Sequence, residues 1–132
     1  MTISVAMIED SREIQGLVED LLGHIGPFHV IGRIATEHEG TVWLDHHAQD
    51  WDVALIDLVL REGSGFNLIR RYREANEKAR ILVLSDYATT PIKVRCVELG
   101  ADAVFTKGEM KAFASYMSLY QARPQPAAGA AR

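Results

Sequence analysis

The chain has 132 residues, of which 48% are hydrophobic and 24% charged, a composition typical of one globular domain. A formal net charge of −4, with no run of more than two Lys or Arg residues, argues against direct nucleic-acid binding. No apolar stretch approaches the ~20 residues that span a bilayer, and the N-terminus lacks the basic start of a secretory signal. The single cysteine excludes an internal disulfide. We therefore expect a cytoplasmic protein.

Strand and helix patterns alternate five times along the chain. Short, nearly continuous apolar runs predict strands at residues 3–8, 28–34, 52–58, 80–84 and 101–106. A helical pattern follows each strand, and the pattern after the second strand, at residues 37–48, is the weaker one. The first helix carries its stripe, after a cap at Asp10 or Ser11, at Ile14, Leu17, Val18, Leu21, Leu22 and Ile25. The last helix carries its stripe at Phe113, Tyr116, Met117 and Tyr120.

Strands that are apolar throughout must be covered on both faces, which indicates a parallel sheet with helices on each side. Five strand–helix units therefore predict an α/β fold with a doubly wound, five-stranded parallel sheet. After Tyr120 the composition becomes rich in Pro and Ala without large apolar residues. We accordingly predict one domain over residues 1–121 and a disordered tail over residues 122–132.

Four of the five predicted strands end in polar residues that carry chemistry. The first strand delivers Glu9 and Asp10, the third Asp57, the fourth Ser85 and the fifth Lys107. Ligands of open parallel sheets bind outside the carboxyl ends of the strands. These residues, distant in sequence, are therefore expected to meet at one edge of the sheet.

The charges of this set indicate its chemistry. Two carboxylates about 5 Å apart repel by about 3 kcal/mol at an effective dielectric constant of about 20, and a divalent cation removes that cost. Ligands that are all oxygens favour a hard ion such as Mg²⁺. The ion would bridge Asp57 to a phosphoryl group, whose oxygens Lys107 and Ser85 would bind. Asp57 is the natural nucleophile, because carboxylates form acyl phosphates.

These residues, at these strand ends, resemble the receiver domain of two-component response regulators. The resemblance covers residues 3 to about 121, and its ordered series of motifs is specific although each motif by itself is weak. The motifs are Ile8-Glu9-Asp10, Ile56-Asp57-Leu58, Gly65 eight residues beyond Asp57, Leu84-Ser85-Asp86, Gly100-Ala101 and Phe105-Thr106-Lys107. The resemblance implies a flavodoxin-like (βα)5 three-layer sandwich.

The resemblance also implies a role for each residue. Asp57 would receive a phosphoryl group from a histidine kinase or phosphotransfer protein, and Ser85 and Lys107 would bind the phosphoryl oxygens. Ser85 would move towards the phosphoryl group and start a conformational change. The Mg²⁺ would be held by Asp10, Asp57 and the backbone carbonyl of Val59, with Glu9 acting through water.

Three positions depart from the family pattern. Arg61 and Gly108 stand where the family often has Pro, after the phosphorylated Asp and after the Lys. Val104 replaces the aromatic switch residue three positions before that Lys, and strand alternation directs the adjacent Phe105 into the core. The usual coupling from serine to the aromatic residue is therefore not expected, so activation would use another side chain or be weak.

The leading hypothesis is a signalling module that catalyses only its own phosphorylation and dephosphorylation. In the family, the surface that changes is formed by helix 4, strand 5 and helix 5, here about residues 89–120, where a downstream protein or a second copy of the chain would bind. No output domain follows in this sequence, so we expect docking or onward phosphoryl transfer, unless the chain is part of a longer protein.

Three alternatives remain open. An aspartyl-phosphate phosphatase of the haloacid dehalogenase type would need a cap domain and a second acid where Val59 stands. A flavin-binding redox protein would need a phosphate loop where Glu9-Asp10-Ser11 would repel phosphate. A receiver-like scaffold that never uses its phosphate is disfavoured by the intact acidic set, but Val104 keeps it open.

Overall fold

The computed structural model describes residues 1–120, so the predicted tail at residues 122–132 lies outside the described residues. The strands are β1 (Ile3–Ile8), β2 (Phe28–Ile34), β3 (Val53–Ile56), β4 (Arg80–Ser85) and β5 (Ala103–Thr106). The helices are α1 (Arg12–Ile25), α2 (Glu37–His47), α3 (Gly65–Ala75), α4 (Thr90–Leu99) and α5 (Met110–Ser118). Within residues 1–120, every helix is too short or too polar to cross a membrane.

The five strands form one sheet in the order β2-β1-β3-β4-β5, and every neighbouring pair is parallel. This arrangement confirms the predicted doubly wound, flavodoxin-like fold. The chain moves outwards in one direction from β1 to β2 and in the other from β3 to β5. The carboxyl ends of β1 and β3 therefore flank the point where the winding reverses, which is where ligands bind in such sheets.

Buried apolar side chains form one core cluster on each face of the sheet. The cluster under α2, α3 and α4 includes Leu44, Leu68 and Cys96. The cluster under α1 and α5 includes Val18, Leu22, Phe113 and Met117. Alternate residues of each strand enter opposite clusters, which explains why the strands are apolar along almost their whole length.

Two predicted strands are longer than the observed ones. β3 was predicted at residues 52–58, and the amides of Asp52 and Asp57 do bond to Ser4 and Ile8 on β1. The predicted and observed lengths of β3 therefore differ only in how the ends of the strand are assigned. β5 was predicted from Ala101, but the Ala101 amide bonds to the Cys96 carbonyl and so closes α4 instead of extending the sheet.

The buried face of α1 differs from the predicted apolar stripe at one residue. Val18 and Leu22 are buried, but Leu17 is 55% exposed, so its assignment to the buried stripe was wrong. Ile14, Val18 and Leu22 recur every four residues, and Leu17 falls beyond the margin of that face. Ser11 is the cap, since its hydroxyl accepts the Ile14 amide at 3.3 Å. Asp10 is therefore not needed as the cap and is available to the edge of the sheet.

Arg73 on α3 joins the ends of several elements opposite the functional edge. Its guanidinium donates to the Ala79 carbonyl at 2.8 Å, the Gly100 carbonyl at 3.0 Å and the Asp102 carboxylate at 2.7 Å. The same carboxylate accepts the Ile81 amide at 2.9 Å. Both side chains of this ion pair are largely buried, so loss of one partner leaves polar groups with poor access to water.

Arg73→Ala should lower the free energy of unfolding by about 2 to 3 kcal/mol, because several charge-assisted hydrogen bonds are lost at once. Arg70→Ala is the matched control, since Arg70 lies on the same helix but is exposed, and it should change stability by about 0.5 kcal/mol or less. Urea denaturation measures both values. Equal losses in the two variants would show that the Arg73 network is not stabilising.

Candidate functional site

Three carboxylates meet at the carboxyl ends of β1 and β3. One oxygen from each of Glu9, Asp10 and Asp57 lies within 4.8 Å of the others. Glu9 and Asp57 are only 4% and 5% exposed, and Asp10 is half-buried. Carboxylate oxygens at this spacing, with limited access to water, form the kind of ligand set that a hard divalent cation prefers.

Lys107 reaches this cluster from the end of β5. Its Nζ lies 2.9 Å from Glu9 Oε1 and 3.0 Å from Asp57 Oδ2. Burial lowers the pKa of Lys107, but hydrogen bonds and ion pairs with Glu9 and Asp57 outweigh burial and raise it overall. The ammonium group therefore stays charged and offsets part of the repulsion between the carboxylates.

The local structure constrains Glu9 from two further sides. Its Oε2 accepts the Ser11 amide at 3.0 Å, and its backbone carbonyl accepts a hydrogen bond from the side-chain amide of Gln15. Burial raises the pKa of Glu9, and the charge of Asp57 adds to this effect, while the hydrogen bonds from Ser11 and Lys107 oppose it. Sequence reasoning missed Gln15, because a polar residue on an amphipathic helix carries no distinguishing pattern.

Ser85 and Val59 complete the predicted set. Ser85 is fully buried at the end of β4; its Oγ accepts the Tyr87 amide at 3.3 Å, and its carbonyl accepts the Lys107 amide at 3.2 Å. The Val59 amide donates to Asp57 Oδ1 at 3.4 Å. Hydrogen bonds or carboxylate proximity thus connect all six predicted site residues at one edge of the sheet.

The loop between β3 and α3 is held by Glu37, which sequence reasoning did not identify. Glu37 Oε1 accepts the Ser64 amide at 2.9 Å and the side-chain amide of Asn67 at 3.1 Å. These two hydrogen bonds lower the pKa of Glu37. An acid in the first turn of a helix is ordinarily explained by the helix dipole, so no sequence pattern connects Glu37 with this loop.

Gly65 allows α3 to begin directly against Asp57. A Cβ atom on Gly65 would lie 1.9 Å from the backbone oxygen of Asp57, which is far inside van der Waals contact. The Gly65 amide also donates to the Leu58 carbonyl at 2.9 Å. This close approach explains physically why a glycine stands eight residues after Asp57.

The residues before Lys107 alternate as predicted. Val104 packs against the core cluster under α4. Phe105 packs against the other cluster, with its ring edge-on to Phe113 at 5.9 Å and to Tyr116 at 5.8 Å between centroids. Phe105 is partly buried and packs towards the core, as strand alternation predicts.

Fold and site together define a class of small α/β modules with an acidic, lysine-containing pocket at the carboxyl edge of the sheet. The family described as response regulator receiver domain matches residues 5–113. The chain belongs to this family. Receiver domains are signalling modules that interact with histidine kinases and downstream effectors, which sets them apart from enzymes acting on metabolites.

Solved structures of the family share this fold. A response regulator from Burkholderia pseudomallei, solved with a phosphorylated aspartic acid, a calcium ion and citrate, is 25% identical with a TM-score of 0.75, over 87% of this chain and 66% of that one. The phosphorylated cyanobacterial phytochrome response regulator RcpA is 16% identical with a TM-score of 0.75, over 89% and 90% of the two chains. The second likeness shows the fold only.

Curated relatives match over a shorter stretch. The transcriptional regulatory protein CusR of Escherichia coli K12 is 34% identical over 58 residues, which is 44% of this chain and 26% of CusR. The cell cycle response regulator CtrA of Brucella abortus is 41% identical over 58 residues, which is 44% of this chain and 25% of CtrA. The matched stretch thus spans about a quarter of the length of these relatives.

Gly65→Ala should lower the free energy of unfolding by about 3 kcal/mol, because the new methyl group displaces the backbone of Asp57. Gly23→Ala is the control. Gly23 lies inside α1 with nothing within 4 Å of a new Cβ atom, so this variant should gain about 1 kcal/mol from helix propensity. Thermal and urea unfolding measure both, and a neutral Gly65→Ala variant would contradict the close approach.

Glu9→Gln should change how stability depends on pH in buffer containing a chelator. Because the pKa of Glu9 lies above its ordinary value of 4.5 in the folded protein, the folded state holds this proton more tightly than the unfolded chain does. The stability of the wild type should therefore fall relative to Glu9→Gln as the pH rises from about 4 to about 7. Urea titrations across this range test the sign, and a constant difference would contradict the raised pKa.

Proposed function

We propose that this protein is a phosphorylation-dependent signalling switch, in which Asp57 accepts a phosphoryl group from a histidine kinase or phosphotransfer protein. One observation carries the proposal: the Asp57 carboxylate lies beside two other carboxylates and 3.0 Å from the ammonium group of Lys107. A purely structural role would not need three acids at one buried edge, because their repulsion and desolvation are costly.

Mg²⁺ fits this site by charge and by ligand type. Three carboxylates and one ammonium sum to −2, which a divalent cation balances. Asp10, Asp57 and the Val59 carbonyl would hold the ion directly, and Glu9 would act through water. The bound ion supplies positive charge that offsets the negative charge of the transferring phosphoryl group.

The residues of this chain divide the transfer between them. An oxygen of Asp57 forms a bond to phosphorus while the bond from phosphorus to the donor nitrogen breaks, which gives an acyl phosphate. The ammonium group of Lys107, which lies on Asp57, would shift to bind one phosphoryl oxygen. The buried Ser85 hydroxyl would bind a second phosphoryl oxygen. The same groups would assist water in removing the phosphoryl group. The phosphorylated aspartic acid in the Burkholderia pseudomallei relative supports this role for Asp57.

Phosphorylation would act on partners through the surface of α4, β5 and α5, over about residues 89–120. Apolar side chains are exposed on α4 and just before it: Tyr87 at 60%, Val94 at 54% and Val97 at 56%. An apolar surface beside a site that gains about 1.5 to 2 negative charges suits regulated docking of a downstream protein, or of a second copy in a homodimer.

We further propose that residues 1–121 act as one receiver unit in the cytoplasm. The only cysteine of the chain, Cys96, is a buried free thiol, which is compatible with a reducing compartment.

Incubation with phosphoramidate and Mg²⁺, followed by intact-mass measurement, tests the proposal. The wild type should gain one phosphoryl group. Asp57→Asn should gain none, because the nucleophile is removed. Chelation of Mg²⁺ should abolish the gain in the wild type, because the charge of the site is then unbalanced. Asp86→Asn is the matched control: Asp86 follows β4 and is exposed, so this variant should be phosphorylated like the wild type. A wild type that stays unmodified would favour the phosphate-independent scaffold.

A further inference from the structure

Lys107 lies in the connection between β5 and α5, where its backbone is followed by a glycine. Gly108 follows Lys107 where the family pattern often has proline. A Cβ atom on Gly108 would approach only Thr106 Oγ1, at 3.8 Å, so the surroundings do not confine this residue by packing. Glycine has more conformational freedom to lose than any other residue. Some other contact must therefore keep the Lys107 backbone in place.

Glu109 supplies that contact through a reciprocal pair of hydrogen bonds with Thr106. Its Oε1 accepts the Thr106 amide at 2.9 Å, and its own amide donates to the Thr106 carbonyl at 2.9 Å. Hydrogen bonding with Thr106 lowers the pKa of Glu109. The two residues on either side of Lys107-Gly108 are thus joined directly.

The hydrogen bonds between Glu109 and Thr106 take the place of an ordinary side-chain cap at the start of α5. Glu109 is the N-cap residue of α5, and its carbonyl accepts the Phe113 amide at 3.0 Å, but among the described residues its side chain bonds to no amide of the first helical turn. The carboxylate instead turns back to the end of β5. The direct ion partners of Lys107 are Glu9 and Asp57, so Glu109 acts on Lys107 through the backbone.

We propose that Glu109 is a positioning residue for Lys107: by bonding to Thr106 on the other side of Lys107-Gly108, it holds the lysine ammonium on Asp57 and Glu9. The inference rests on the proposed function of Lys107 in binding the phosphoryl group. In this proposal, the Glu109 side chain restrains the backbone of Lys107, as a proline at position 108 would. The Lys107 amide, bonded to the Ser85 carbonyl at 3.2 Å, fixes the other side of the same backbone segment.

Phosphorylation kinetics test this role with phosphoramidate and saturating Mg²⁺, read by intact mass. Glu109→Ala should slow phosphorylation about tenfold, because the Lys107 ammonium would then occupy its position on Asp57 for a smaller fraction of the time. Glu109→Gln keeps an acceptor oxygen and should recover most of the rate. Glu98→Ala removes the same charge from an exposed position on α4 and should match the wild type. An unchanged rate in Glu109→Ala would overturn the inference.

A double-mutant cycle separates positioning from a general structural effect. Glu109→Ala should cost nothing further in a Lys107→Ala background, because no ammonium remains to be placed. The same tenfold loss in that background would show that Glu109 acts otherwise. Gly108→Ala, which fits without a clash, should partly restore Glu109→Ala by stiffening the backbone.

A readout independent of phosphorylation keeps the two proposals apart. Carbon-13 relaxation of the Lys107 ε-methylene should show an ordered side chain in the wild type and in Glu98→Ala, and a mobile one in Glu109→Ala. If the wild type is never phosphorylated but this difference appears, the proposed function fails and the positioning role stands. If phosphorylation occurs but the side chain is equally ordered in all three proteins, the positioning role fails.

Discussion

The structure depends on holding three carboxylates together at one buried edge of a parallel sheet. Glu9, Asp10 and Asp57 repel each other, and burial of Glu9 and Asp57 deprives them of the solvation that would weaken the repulsion. Lys107 is the counter-charge within the protein, since its ammonium bridges Glu9 and Asp57. A cluster compensated only in part favours further positive charge, so its oxygens suit a divalent cation.

Precision at this edge comes from contacts outside the acidic cluster. Strand order places the ends of β1, β3 and β5 along one edge, where the Lys107 side chain reaches Glu9 and Asp57, but each loop still needs a restraint of its own. Gln15 and Ser11 hold Glu9, Glu37 holds the loop after Asp57, and Glu109 closes the loop that carries Lys107. In three places, hydrogen bonds between polar side chains and backbone amides or carbonyls thus restrain a loop as proline or tighter packing would.

The sequence predicted the parts of this structure that obey a periodic or positional rule. Apolar runs and helical stripes located every strand and helix, and the parallel-sheet rule gathered Glu9, Asp57 and Lys107 at one edge. The misassigned Leu17 and the shortened β5 arise where helix geometry and a backbone bond from Ala101 override the pattern. Glu37, Gln15 and Glu109 were not predicted, because a polar side chain that reaches back to a backbone amide or carbonyl leaves no spacing signal.

Under the proposed function, the valine at position 104 limits how a change at Asp57 can affect the rest of the structure. A ligand shifts a conformational equilibrium only through contacts that differ between its states. Val104 packs against the core cluster under α2, α3 and α4, and the Phe105 ring contacts two aromatic neighbours on the other face of the sheet, so the α4 side of β5 carries no aromatic ring. Ser85 differs, because its hydroxyl accepts the amide of the exposed Tyr87 at 3.3 Å, and binding of Ser85 to a phosphoryl oxygen would compete with that bond. Under the proposed function, the contacts most open to change therefore lie between β4 and α4, directly beside the exposed apolar side chains of α4.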